Sequence, residues 1–241
     1  MLSNYFFEIR NRIVLVIFSW SVTVLFAYLN KETLLFLSIK PNIKLFKETT
    51  FYFIATNVTD VFSVYVSLIY LVSFQLTLIY CFYNFYKFIE SALYKKESQN
   101  LLFFFKTGFT LWIFSLLLLN KLVLPLCWEF FSSFQNSSSQ SINIFLEIRI
   151  TEYLAFYIMT YYITAFITQC FTLIFLCLGL LKKKLLFIRA TRKIFYLIFL
   201  GLATVVTPPD VVSQLLLGTI FVLVYELIIV IIITKDFNLI R

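Results

Sequence analysis

The sequence at residues 211–234 is VVSQLLLGTIFVLVYELIIVIIIT, an almost unbroken apolar stretch whose only charged residue is Glu226. A helix needs about 20 apolar residues to cross a ~30 Å hydrocarbon core, so this stretch is long enough to span a membrane. Directly before it stands TPPD at residues 207–210, and before that a shorter apolar run at residues 194–206. Neither proline can donate a backbone hydrogen bond, so TPPD predicts a sharp turn between two helices.

The composition of the 241-residue chain excludes a water-soluble globule, since 61% of the residues are hydrophobic, 13% are charged and the mean hydropathy is +0.94. A soluble domain is about half apolar and a quarter charged. The chain has no His, which excludes His general bases and His ligands to zinc or haem. Its four cysteines form no CxxC pair. We therefore expect no zinc site, no disulfide framework, no bound metal and no cofactor.

Four further apolar stretches have the length of membrane spans: residues 13–29, 61–82, 101–119 and 153–180. The run at 194–206 would reach only about 20 Å as a helix, so it predicts a short fifth span. Residues 211–234 supply the sixth. The predicted fold is an all-α integral membrane protein, with residues 1–241 forming a single six-span membrane domain.

The charged residues indicate the orientation of these spans. With the N-terminus and C-terminus inside, 14 of the 20 Lys and Arg residues fall on the inner side, where the positive-inside bias places them. The outer cations are Lys31, Lys40, Lys44, Lys47, Lys121 and Arg149. The net charge of +8 is thereby explained without nucleic acid as a partner. The outer segments 30–60 and 120–152 contain apolar stretches, which predict an interfacial cap lying against the bilayer.

Three motifs and one dipeptide carry a family resemblance. They are FEIRNRI at residues 7–13, FIESALYKKE at 88–97, TPPDVVSQ at 207–214, and Tyr225-Glu226 within the last span. Together with six spans and an inner N-terminus, they resemble the TatC family. Members of that family are the multispanning signal-receptor subunits of the twin-arginine, or Sec-independent, protein translocase. The resemblance covers essentially the whole chain.

The resemblance implies a non-enzymatic receptor that helps to move folded proteins across a membrane energised by a proton-motive force. Its cargo would carry twin-arginine signals, and its partners would be small single-span TatA- or TatB-like subunits, further copies of itself and the lipid bilayer. We expect a concave, glove-like bundle with short fifth and sixth helices. Because 31 Phe against 4 Gly indicates an AT-biased, organelle-type gene, we expect the mitochondrial inner membrane. The plastid thylakoid and the bacterial inner membrane stay open.

Two carboxylates on the predicted inner side, Glu8 and Glu97, match the acids of the family's signal site. Arg presents a planar fork that binds a carboxylate in a bidentate manner, which Lys cannot reproduce, so a twin-arginine receptor needs carboxylates at defined positions. The alternative is local charge balance, with Glu8 paired to Arg12 four residues on and Glu97 near Lys95 and Lys96. Exposed pairs of that kind contribute only about 0.2–1 kcal/mol.

The resemblance also assigns four neighbours of these acids to the signal site. Phe88 and Tyr94 would form an apolar floor for the arginine stems, although ordinary interfacial anchoring explains either aromatic as well. Arg10 and Arg12 would organise Glu8, or else would only fix the topology.

Three polar residues are candidates for contact with a partner's transmembrane helix: Gln169, Glu226 and Asp210. Gln169 replaces an acid usual in the fourth span of the family, just as Asn57 replaces an acid before the second span. Polar groups inside a membrane are functional candidates by default. The alternative for Gln169 and Glu226 is a structural hydrogen bond between helices, worth about 0.6–2 kcal/mol.

Two other function classes are alternatives to the translocase receptor. An ion- or solute-conducting subunit would need several ionisable groups aligned at mid-membrane, and among the spans only Glu226 qualifies. An intramembrane enzyme would need a nucleophile motif or paired acids. The sequence has no GxSxG and no pair of membrane aspartates, so we expect no catalytic residues.

Overall fold

The computed structural model describes residues 2–43, 53–136, 147–180 and 184–240, and nearly all of them are helical. Within these residues the helices are α1 (Leu2–Leu29), α2 (Lys31–Ile43), α3 (Asp60–Glu90), α4 (Lys95–Leu118), α5 (Leu124–Asn136), α6 (Ile150–Leu180), α7 (Lys184–Val206) and α8 (Val211–Ile240). The described part contains no strand and one isolated bridge, between Ile54 and Arg149. The predicted all-α membrane fold is confirmed.

Five helical stretches within the described residues are long and apolar enough to cross a membrane: Tyr5–Leu29, Asp60–Glu90, Glu97–Ser133, Ile150–Leu178 and Val211–Thr234. They contain five of the six predicted spans. The remaining one, 194–206, lies in helix α7, in which every 18-residue stretch includes three cations: Arg189, Arg192 and Lys193. The count of six spans, the orientation of the termini and the glove-like shape therefore stay predictions, as does the single membrane domain.

The chain divides into two compact units. The first contains Met1–Leu102 and Glu147–Ile158. In it, α1 packs along α3, and the Thr23 and Thr77 hydroxyl oxygens lie 3.3 Å apart at their contact. Small residues such as Ala27 and Ser73 are almost fully buried. Lipid is as apolar as the side chains, so no hydrophobic effect drives membrane helices together. They associate through close van der Waals packing, which small side chains allow.

The described parts of the two predicted outer segments form specific contacts in this first unit. Residues 31–43 form α2, whose Ser38 carbonyl accepts a hydrogen bond of 2.9 Å from the Tyr153 hydroxyl. Ile54 pairs with the other outer segment, donating to Ile148 at 3.0 Å and accepting from Ile150 at 3.2 Å. The two segments are thus tied together by backbone hydrogen bonds. The predicted outer cations Lys44 and Lys47 lie outside the described residues.

The second unit contains Phe103–Leu146 and Met159–Arg241, and its clearest feature is the antiparallel pair α7 and α8. Phe171 of α6 packs against Phe199 of α7 and Phe221 of α8, with ring centroids 4.8 and 5.8 Å away. A Cβ on Gly218 would come within 2.6 Å of the Leu200 side chain, so the glycine lets α8 approach α7 closely. Aromatic packing and one small residue thus define this hairpin.

The helix of the predicted third span does not end at residue 119, because residues 119–136 continue it. A π-helical turn at Leu119–Val123 joins α4 to α5, and the amide of Leu124 donates to the carbonyl of Leu119. Pro125 explains the turn: it has no N–H, and in a regular α-helix its ring would collide with the carbonyl four residues earlier. A wider turn just before it absorbs the mismatch without ending the helix.

Candidate functional site

Glu8 is held in place by an arginine on its own helix. The Nε and Nη2 of Arg12 donate to the same oxygen, Oε1 of Glu8, at 3.1 and 2.7 Å. The Nη1 of Arg12 reaches across to α3 and donates to the backbone carbonyl of Asn84 at 3.2 Å. The local pair considered from the sequence is therefore present, and it is also anchored to a second helix. The other guanidinium, that of Arg10, lies 4.9 Å from the centre of the Phe7 ring.

Glu97 lies in the first turn of α4 and is exposed to solvent. Its Oε2 accepts a hydrogen bond of 3.3 Å from the backbone N–H of Tyr94, the residue just before the helix. A carboxylate three residues after the N-cap often accepts this bond, which satisfies one of the free donors at a helix start. Tyr94 is 82% exposed and Phe88 is half-buried.

The last turns of α3 connect the neighbourhoods of the two acids. Asn84 accepts the bond from Arg12, and two residues later the Tyr86 hydroxyl lies 3.4 Å from the Ser98 hydroxyl, next to Glu97. Glu8 is thus tied to the end of α3 through Arg12, and Ser98, the residue after Glu97, contacts the same end of α3 within one unit of the structure. Asn84 and Tyr86 were not among the predicted site residues. One feature of the sequence could have indicated this position, because Asn84 is a polar residue near the end of an apolar span.

A third acid, Glu90, belongs to the same end of α3 but is already paired. One of its oxygens accepts from the Lys87 ammonium at 2.8 Å, and the other accepts from the Tyr86 hydroxyl at 3.2 Å. Both partners lie on α3 itself, so Glu90 carries a compensated charge. It differs in this respect from Glu97, which among the described residues accepts a hydrogen bond from a neutral backbone amide.

Gln169 contacts a neighbouring helix of its own unit. Its Nε2 donates to the carbonyl of Gly108 on α4 at 3.5 Å, and its Oε1 accepts from the Thr172 hydroxyl at 3.4 Å. Both bonds are long for their type, and the side chain stays half-exposed. Gln169 therefore forms the hydrogen bond between helices that was the structural alternative, although this bond is long. Contact of Gln169 with a partner's helix stays a prediction.

Glu226 joins α8 to α7. Its two oxygens accept from the Arg192 guanidinium and from the Tyr196 hydroxyl, both on α7. Arg192 and Tyr196 were missed in the sequence, although a signal existed, because residues 192 and 226 are equally far along the chain from Pro209. In an antiparallel hairpin such residues lie at the same height, since both helices rise 1.5 Å per residue. Glu226, the one group supporting a conducting subunit, is thus ion-paired.

The TPPDVVSQ motif builds the start of α8. A carboxylate oxygen of Asp210 accepts from the Ser213 amide at 3.4 Å, while the Asp210 carbonyl accepts from the Ser213 hydroxyl at 3.0 Å. The Gln214 side chain donates to the Pro208 carbonyl at 3.4 Å. Asp210 is therefore a helix cap, as an Asp just before a first helical residue commonly is. Its contact with a partner helix stays a prediction.

Comparison with known proteins agrees with these motifs. A family model described as the Sec-independent protein translocase protein (TatC) matches residues 4–219. The chain belongs to the TatC family. It is therefore a subunit of the Sec-independent protein translocase, a membrane protein that crosses the bilayer several times and works with other Tat subunits. The resemblance identified from the motifs is confirmed.

Relatives of this TatC chain occur in an alga and in bacteria. The chain is 32% identical over 229 residues to the uncharacterized tatC-like protein ymf16 of Nephroselmis olivacea, covering 94% of this chain and 92% of that protein. It is 28% identical over 230 residues to the Sec-independent protein translocase protein TatC of Rickettsia prowazekii, covering 95% and 90%.

A solved structure shares the fold of this TatC chain. The crystal structure of the twin-arginine translocase receptor TatC in DDM superposes with a TM-score of 0.65 at 19% identity. The match covers 94% of this chain and 98% of that one.

Proposed function

We propose that Glu8 and Glu97 together form the acceptor for the two arginines of a twin-arginine signal. The observation that supports this proposal most is that both acids lie near the end of α3: Arg12 links Glu8 to the Asn84 carbonyl, and Ser98, the residue after Glu97, contacts Tyr86. Two carboxylates near one end of one helix offer one acceptor for each guanidinium.

The free oxygens of the two acids suit this role. Arg12 uses only Oε1 of Glu8, and the Tyr94 amide uses only Oε2 of Glu97. Among the described residues, one oxygen of each acid therefore remains for an incoming guanidinium. Charge-assisted bonds to carboxylates are about twice as strong as neutral ones, and the arginine fork adds geometric selectivity over lysine. Phe88 and Tyr94 lie on either side of the chain segment between α3 and α4 and would contact the arginine stems.

The proposal extends to partners and location. A receptor of this kind would bind folded cargo that bears such signals, and Gln169, half-exposed in an apolar helix, would contact a small single-span TatA- or TatB-like subunit or a second copy of the chain. The Phe-rich, Gly-poor composition, typical of an organelle-encoded gene, supports the mitochondrial inner membrane. Transport would then draw on the proton-motive force across that membrane.

The test is signal-peptide binding by the Glu97→Gln variant. Glutamine keeps an oxygen that can accept from the Tyr94 amide, so the start of α4 is retained while the charge is removed. Truncating one partner of a charged pair in an interface costs about 2 kcal/mol or more, so we expect affinity for a twin-arginine peptide to fall roughly 30-fold. Binding by the purified, monodisperse protein would be measured at several salt concentrations, beside a twin-lysine peptide.

The matched control is Glu90→Gln, which removes a charge from the same end of α3. Because Lys87 already compensates Glu90, signal binding should stay within about twofold of the parent. If Glu97→Gln binds like the parent while Glu90→Gln does not, the wrong carboxylate has been assigned. If neither variant changes binding, the acidic site is not the receptor site.

A further inference from the structure

The exposed face of α7 carries cations that no described residue neutralises. The chain from 184 to 206 contains Lys184, Arg189, Arg192 and Lys193 and no acid. Glu226, the one acid at residues 211–234 of α8, pairs with Arg192. Arg189 and Lys193 are both exposed, and within the described part of the chain neither forms an ion pair or a hydrogen bond. Two positive charges therefore remain side by side, because residues four apart lie on the same face of a helix.

The same face becomes apolar towards the TPPD turn. Leu197, one turn beyond Lys193, is 71% exposed, and Leu200 is 37% exposed. Leu197 lies on the same helix face as Lys193, and Leu200 continues that face while also packing against Gly218 of α8. In a membrane helix, exposed leucines contact acyl chains. The face thus combines two cations with an adjoining apolar strip.

The position of the cations along the hairpin places them at headgroup height. At 1.5 Å per residue, Lys193 and Arg189 lie about 24 and 30 Å from the Pro209 turn. A hydrocarbon core is ~30 Å thick. With the turn at one surface, both cations reach the phosphates of the opposite leaflet, and a lysine slightly inside the core can extend its stem to the interface.

We propose that Arg189 and Lys193 bind the phosphodiester headgroup of an anionic phospholipid, with one acyl chain lying along Leu197 and Leu200. The charge selects an anionic lipid over a zwitterionic one, and the adjoining leucines select a lipid over a soluble phosphate. The site lies on α7 alone and does not depend on the proposed signal site. Near a membrane surface each basic residue contributes a severalfold preference for anionic lipid.

The test counts lipids retained by the purified full-length chain in native mass spectrometry. The chain is offered equal amounts of phosphatidylglycerol and phosphatidylcholine with the same acyl chains. We expect the parent to prefer phosphatidylglycerol, and the preference to fall about 10- to 30-fold in the double variant Arg189→Gln/Lys193→Gln. The control double variant, Arg149→Gln/Lys121→Gln, loses the same two residue types at other exposed positions and should keep the preference.

Two further measurements complete the test. The charge-preserving variant Lys193→Arg should retain phosphatidylglycerol, and millimolar inorganic phosphate should not displace it, since phosphate makes no contact with the leucines. The proposal is overturned if Arg189→Gln/Lys193→Gln keeps the parent's preference, or if both double variants lose it equally. Displacement by inorganic phosphate would mean a plain anion site and would also overturn it.

Discussion

A single guanidinium accounts for the placement of Glu8. Arg12 donates two bonds to one oxygen of Glu8 and a third to the Asn84 carbonyl on α3, so it fixes the Glu8 carboxylate relative to α3. Lysine has one nitrogen on a flexible stem and cannot hold both positions at once. Arg12 therefore acts as a positioning residue for the proposed signal site, and the Arg12 charge is not itself a recognition element.

This argument predicts a difference between two conservative variants. Arg12→Lys keeps the charge but loses the link between Glu8 and Asn84, and we expect affinity for a twin-arginine peptide to fall about 10-fold. Arg10→Lys is the control, since Arg10 contacts only the Phe7 ring among the described residues, and its effect should be within twofold. Peptide titrations of both purified variants provide the measurement. If both variants lose the same affinity for the peptide, the positioning role of Arg12 is wrong and the two arginines have a general electrostatic role.

Single residues also show where the sequence was informative and where it was not. Asn57 was recognised as a replacement for a family acid, but its role depends on a fold-specific contact: its backbone amide and its side chain both donate to the Asp60 carboxylate, at 2.9 and 3.4 Å. An acid at position 57 could not donate that side-chain bond. Composition and spacing do not reveal that the Asn57 side chain donates this bond. Its acceptor, the Asp60 carboxylate, is brought close to it only because α3 begins at Asp60.

At the scale of elements, the apolar spans could be predicted because hydropathy over about 20 residues is a strong signal. The end of the third span could not, since Asn120, Lys121 and Pro125 together resemble a helix terminus. A π turn carries the helix past them to Asn136. The contact between Arg192 and Glu226 could have been predicted, given that TPPD marks the hairpin and the two residues are equidistant from Pro209.

The α7–α8 hairpin gives a prediction at this scale. A double-mutant cycle of Arg192→Gln and Glu226→Gln should show a favourable coupling of about 0.5–2 kcal/mol in the free energy of unfolding. The value is modest because both side chains are partly exposed, so solvent and lipid headgroups screen the pair. A parallel cycle with Lys193→Gln in place of Arg192→Gln should give a coupling near zero. Coupling of the same size in both cycles would mean that Glu226 interacts with the overall positive charge of α7 and not specifically with Arg192.

For the whole molecule, the number of spans depends on whether α7 crosses the membrane. Taken alone, α7 is too rich in cations to qualify as a span. Its packing argues otherwise: the Phe199 ring lies 5.4 Å from that of Tyr225, and Arg192 pairs with Glu226, so α7 runs antiparallel along a helix that is long and apolar enough to span. A helix packed in this way must lie at the same depth as its neighbour. The exposed apolar side chains of α7, such as Leu197 and Val205, also favour a surface in contact with lipid or another helix over one in water.

If α7 crosses, the chain has six spans and both termini lie on one side. Cysteines introduced by Ser3→Cys and Asn238→Cys should then react with an impermeant maleimide from the same side of sealed vesicles. Val212→Cys, exposed just after the TPPD turn, should react from the opposite side. The background must have serine at Cys81, Cys127, Cys170 and Cys177, because Cys81 and Cys177 are exposed. If positions 3 and 238 react from opposite sides, α7 does not cross the membrane, and the chain has five spans.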